Sequence, residues 1–82
     1  MNINEKVKQD FMLLGQRIKK LREERNLTIK ETSQKTGIRP QYLQKIEAGL
    51  AYGVMIEKHL VPLAKVFKVK FHELFDLNNF YL

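Results

Sequence analysis

Apolar residues Ile3, Val7, Phe11, Leu14, Ile18 and Leu21 recur at three- and four-residue intervals. That period lines one face of a helix. Two starts fit the pattern. One is a single helix from about Asn4 to Arg25, and the other is a loose arm over 1–10 with a helix entered at Asp10, an acceptable cap. The stripe does not break at Asp10, which favours the longer helix. Asn26 follows, where a left-handed backbone is wanted and asparagine tolerates it. Next come two short helical patterns flanking a turn at Thr36-Gly37-Ile38. Thr28 and Glu31 have capping-box spacing at the head of the first. Pro40 is pre-set for the first turn of the second, and Leu43 and Ile46 share one of its faces. Gly49 permits the left-handed backbone that ends it.

The second half is less regular. Leu50–Met55 carries no charge. Ile56, Leu60, Leu63, Ala64 and Phe67 form an apolar stripe that Pro62 interrupts. A proline deep in a helix costs about 3 kcal/mol. A regular helix beginning near Val61, with Ile56–Leu60 as a preceding turn or kinked segment, avoids that cost. Lys68-Val69-Lys70 reads as a turn. A last helix is expected from Phe71 to Asp76 or slightly beyond, burying Phe71, Leu74 and Phe75. The tail 77–82, with Leu77, Phe80, Tyr81 and Leu82, is apolar for a terminus. It either covers its own core or crosses to a second subunit. A dimer contact built from Phe71, Leu74 and these tail residues is the favoured reading.

Two short helices around a glycine-containing turn form a helix-turn-helix, which offers its second helix to a DNA major groove. Charge agrees: 15 Lys+Arg against 9 Asp+Glu give a net charge of +6, a bias toward polyanions. The 82 residues allow one small all-α domain, for which pairing with a second copy would add stability. Cysteine is absent, which excludes disulfides and makes zinc a poor fit. His59 and His72 lack ligand-type neighbours and read as surface residues. No metal, cofactor or catalytic residue is expected, because the chain has no nucleophile–base pair and no glycine-rich phosphate cradle. With no signal peptide and no long apolar run, a cytoplasmic protein without a membrane partner is expected.

The stretch Leu14–Gly49 resembles the helix-turn-helix domain of Cro and repressor proteins, the XRE family. The resemblance rests on Leu21-Arg22, Leu27-Thr28 with Glu31, Gly37-Ile38, and Ile46-Glu47 with Gly49. Farther on, Leu63-Ala64-Lys65, Val69 and Glu73-Leu74-Phe75 look like the family's last two helices. It implies a five-helix, lambda-repressor-like domain over 11–76, flanked by the arm or helix extension 1–10 and the tail 77–82. It further implies a dimeric repressor on a palindromic double-stranded operator. By the same resemblance, Arg22 should pair with Glu47. Thr32, Ser33 and Thr36 stand where the family usually has leucine, alanine and leucine, so the first helix of the motif should be weakly held. Ile29 replaces a glutamine that often touches DNA, and reads as an exposed isoleucine or a sugar contact.

If the family's docking holds, Pro40, Gln41, Tyr42 and Lys45 read bases. Gln suits adenine and Lys suits guanine. Tyr42 either stacks on a sugar or sits half-buried against the preceding helix. Arg39, Thr28, Arg17, Lys19 and Gln44 are the expected phosphate contacts. Arg39 occupies an N-cap slot where serine or threonine would be worth about 1 kcal/mol. The alternative is a protein-interaction module on the same scaffold, serving an antirepressor, an antitoxin-like role or a larger regulator. Ile29, the uncharged Leu50–Met55 connection and the apolar tail favour it.

Overall fold

The computed structural model describes residues 4–75. Among them are four α-helices and no strand: α1 (Glu5–Glu24), α2 (Ile29–Thr36), α3 (Pro40–Glu47) and α4 (Val61–Phe67). A π-helical turn, Ile56–Leu60, leads into α4, and a 3-10 turn, Phe71–Phe75, follows it. The expected tail contacts Leu77, Phe80, Tyr81 and Leu82 lie outside the described residues, as does Asp76.

Helix α1 is continuous through Asp10. Its cap is Asn4, whose Oδ1 accepts from the Val7 amide at 2.9 Å. Leu14, Ile18 and Leu21 are buried along one side. The helix ends at Arg25, and Asn26 takes a left-handed turn at φ 55°. Arg25 then does structural work that its charge did not suggest. Its Nε donates to the Phe67 carbonyl at 2.6 Å, and its guanidinium lies 5.9 Å from the Phe67 ring centre. This ties the end of α1 to the end of α4.

Two glycines let α1 and α3 approach backbone to backbone. A Cβ on Gly15 would lie 2.6 Å from the Glu47 carbonyl oxygen and closer still to that of Ile46. A Cβ on Gly49 would lie 2.7 Å from the Met12 Cα, and Gly49 also has φ 77°. Any side chain at either position would push the two helices apart.

Helix α2 opens with the reciprocal Thr28–Glu31 capping box and closes on left-handed Gly37. The Ser33 hydroxyl donates to the Ile38 carbonyl. Thr36 Oγ1 donates to the Thr32 carbonyl at 2.8 Å and accepts from the Ile38 amide at 3.2 Å. Polar side chains therefore fasten the turn. Thr32 differs: it is fully buried, and its hydroxyl has no hydrogen-bond partner among the described residues. Ile29 packs partly against the core, which corrects its reading as an exposed residue or sugar contact. Helical spacing puts it one turn before buried Thr32.

Pro62 explains the π turn. It lacks an N–H, and its ring would meet the carbonyl four residues back. Widening the preceding turn moves the ladder out of register: the Leu60 amide bonds to the Met55 carbonyl at 3.2 Å, and the Val61 amide bonds to that of Ile56. His59 completes the turn. Its Nδ1 accepts from the Met55 amide at 2.8 Å, and the residue is only 8% exposed. His59 is thus a buried cap, not the surface residue expected.

The last described element is tighter than the expected α-helix. Glu73 closes it from both directions, donating its amide to the Lys70 carbonyl at 2.9 Å and accepting the Lys70 amide at Oε1 at 2.9 Å. The turn sends Leu74 into the core, where it is fully buried. Leu74 is therefore a core residue and not an exposed dimer contact. Phe71 and Phe75, expected in the buried face, are 38% and 42% exposed. Their rings meet edge to face at 5.2 Å along the rim.

Candidate nucleic-acid interface

The rotation of α3 is set by Leu43 and Ile46, both buried. Burying such side chains is worth about 1.5–3 kcal/mol each, so the helix cannot roll freely. Gln41, Gln44 and Lys45 are consequently exposed, together with Arg39 and Pro40 at the helix entrance. Arg39 holds the N-cap position without a side-chain cap bond, which leaves its guanidinium to solvent. Pro40 stands in the first turn, where no amide is needed.

The pair Arg22–Glu47 holds the far end of α3. Arg22 Nε meets Glu47 Oε2 at 2.6 Å, and Nη2 meets Oε1 at 3.0 Å. A third bond runs from Arg22 Nη1 to the Leu27 carbonyl at 2.7 Å. One guanidinium thus fixes α3 and the entrance to α2 together. The hydrogen bond to Glu47 raises the Arg22 pKa, against the opposing effect of burial.

Thr28 stands at the α2 entrance beside that anchor and is exposed. Its Oγ1 accepts from the Glu31 amide at 3.0 Å. The Thr28 backbone amide in turn holds the Glu31 carboxyl below the usual range. Lys19, one turn before Arg22 on α1, is exposed. Thr28 at the α2 entrance, Arg39, Gln41, Gln44 and Lys45 at and along α3, and Lys19 on α1 are thus all exposed.

Two expected contacts stand elsewhere. Arg17 is half-buried, and its Nε donates to the Glu73 carbonyl at 3.0 Å. It joins α1 to the 3-10 turn and is withdrawn from the phosphate set. Tyr42, expected at a base, a sugar or half-buried against the preceding helix, is half-buried with its ring 4.8 Å from that of His59, so it packs against the π turn. A cleft of about 480 Å³ lies here, lined by Arg39, Tyr42, Lys58 and His59 among others. Burial, with a smaller push from Lys58, holds the His59 pKa below its ordinary value. The Tyr42–His59 contact was not readable in sequence, since it depends on how the π turn folds back.

Among the described residues, no helix is long and apolar enough to cross a membrane, and no group of three His, Cys, Asp or Glu could hold a metal. No curated protein and no solved structure matches the chain. A family model described as a helix-turn-helix domain matches residues 15–82, covering α1 from Gly15 onward and every later element. The matched family lies in the XRE-like group, which points to DNA as the partner and is typically non-enzymatic. With every described element helical, its second and third helices packed around the Gly37 turn, and the match running over that span, the chain belongs to the helix-turn-helix domain family.

Proposed function

We propose that this protein is a sequence-specific double-stranded DNA-binding transcriptional regulator. Its simplest form is a dimeric repressor of the Cro/repressor type with a five-helix, lambda-repressor-like arrangement, acting in the cytoplasm on a palindromic operator. The observation that carries this reading is the exposed row Gln41, Gln44 and Lys45 on a helix whose opposite side is locked by Leu43 and Ile46. Each α3 would enter a major groove, with half-sites about one helical turn apart. Gln41 and Lys45 read base edges from Pro40 onward, while Arg39, Thr28, Gln44 and Lys19 hold phosphates and set register. The exposed Phe71 rim supplies apolar surface for the dimer. Selection from a random duplex library, followed by titrations at several salt concentrations, tests the reading. A palindromic motif with steep salt dependence is the expected result. Failure to enrich any motif, with a flat salt response, would overturn it.

A protein-binding role on the same scaffold is the second reading. It is favoured by Leu50 and Ile56, which are 60% and 59% exposed on an uncharged connection. Tight binding to a protein partner with little salt dependence would place it first.

A further inference from the structure

A largely apolar groove of about 490 Å³ opens between the first half of α1 and the π turn, lined by residues outside α3. Phe11 and Leu14 line one side with Asp10 beside them, Val54, Ile56 and Leu60 the other, and Phe75 borders it. Its volume falls within the range of roughly 300–1,000 Å³ typical of sites that bury a ligand. Ile56 and Phe75 remain substantially exposed at its mouth. Phe75 is also where the described chain stops, and the next seven residues are DLNNFYL.

We propose that this groove is the docking site for residues 77–82 of the same chain. Three observations support that occupant. The segment departs from a residue that itself borders the groove, with only Asp76 between them. Leu77, Phe80 and Tyr81 stand three and four residues apart, spacing that brings side chains to one side of a helical turn. A short tether also gives the segment an effective concentration on the order of millimolar at its own groove. A second copy at micromolar concentration competes poorly, because association also costs translational and rotational freedom. The inference is independent of the DNA-binding reading. It gives the apolar segment a seat in its own chain in place of the partner contact expected from sequence, and leaves Phe71 to the dimer.

The test compares the full chain with a version ending at Asp76 by amide NMR across a tenfold range of protein concentration. Expected are shift differences centred on Phe11, Leu14, Val54 and Leu60 that do not change with concentration. Differences that grow with concentration place the segment on a second copy, and absence of differences at the groove removes the docking site; either overturns the proposal. The lack of cysteine allows a second measurement. Ile56→Cys and Phe80→Cys in one chain should form an intrachain disulfide under mild oxidation. A mixture of the two single variants should give no linked dimer, and efficient linkage in that mixture overturns the proposal.

Discussion

Arg22 of α1 grips Glu47 of α3 through both carboxylate oxygens, at 2.6 and 3.0 Å, with both side chains nearly buried. The same guanidinium takes the Leu27 carbonyl, so the pair also sets where α2 begins. Removing one partner strands a buried charge. Glu47→Ala should destabilise the protein by about 3–5 kcal/mol in urea unfolding. Arg22→Ala should fall in the same range and also loosen the α2 entrance. A loss under about 1 kcal/mol for Glu47→Ala would mean that water takes over the pairing.

Thr32 should respond in the opposite direction. Its hydroxyl is buried without a partner, whereas valine keeps its shape and removes the unsatisfied group. Thr32→Val should stabilise the fold by about 1 kcal/mol or more, since an orphaned buried polar group costs roughly 1–3 kcal/mol. The unfolding midpoint reads the effect. Thr36→Val should destabilise, because that hydroxyl both donates to the Thr32 carbonyl and accepts from the Ile38 amide.

These two threonines show how far the sequence could be read. Both depart from the family pattern, and a buried threonine hydroxyl needs a hydrogen-bond partner. The chain order could not tell that Thr36 would find several and Thr32 none among the described residues, because that depends on which side of α2 meets the core. Local signals survived well: the Thr28–Glu31 box, Asn26 and Pro40 all act through neighbours a few residues away. Long-range uses of side chains did not. Arg17 is expected at a phosphate and Arg25 has no expected role, yet each spends its Nε on a carbonyl more than forty residues on. His59 looked solitary for the same reason. Its cap partner is four residues away, but only in a π turn, and its ring partner Tyr42 lies on another helix.

Acid should weaken the π turn through His59. Burial holds its folded pKa below the ordinary value of 6.5, so the unfolded chain takes up the proton first. Stability is then complete above about pH 6.5 and falls as pH drops from there toward the lower folded value, by at most about 1.4 kcal/mol per pH unit for one proton. Protonation also ends acceptance of the Met55 amide and places a cation beside Lys58 and Arg39, which line the same cleft. Unfolding measured from pH 7.5 to 5 should show this slope. His59→Asn, whose side-chain oxygen can accept the same amide, should flatten it. Equal slopes in both proteins would assign the effect to other groups.

On the proposed function, base reading and phosphate holding should separate by mutation. Gln41 lies in the first turn of α3, and Lys45 follows four residues later on the same flank, opposite buried Leu43 and Ile46. Arg39 sits at the entrance with no intramolecular cap bond to give up. Gln41→Ala or Lys45→Ala should cost about 1–3 kcal/mol on the selected duplex and relax the choice at particular base pairs. Arg39→Ala should weaken all duplexes alike and reduce the slope of log affinity against log salt by about one unit. Arg17→Ala is the contrasting control. Its Nε serves the Glu73 carbonyl, so it should lower stability and leave the salt slope unchanged. The measurement is a titration of the four variants against the selected duplex and singly altered versions at three salt concentrations, with helicity checked by circular dichroism. Folded Gln41→Ala and Lys45→Ala proteins that keep wild-type affinity and base preference would remove α3 as the reader. The exposed Leu50–Ile56 connection would then be the surface to pursue, with a protein as its ligand.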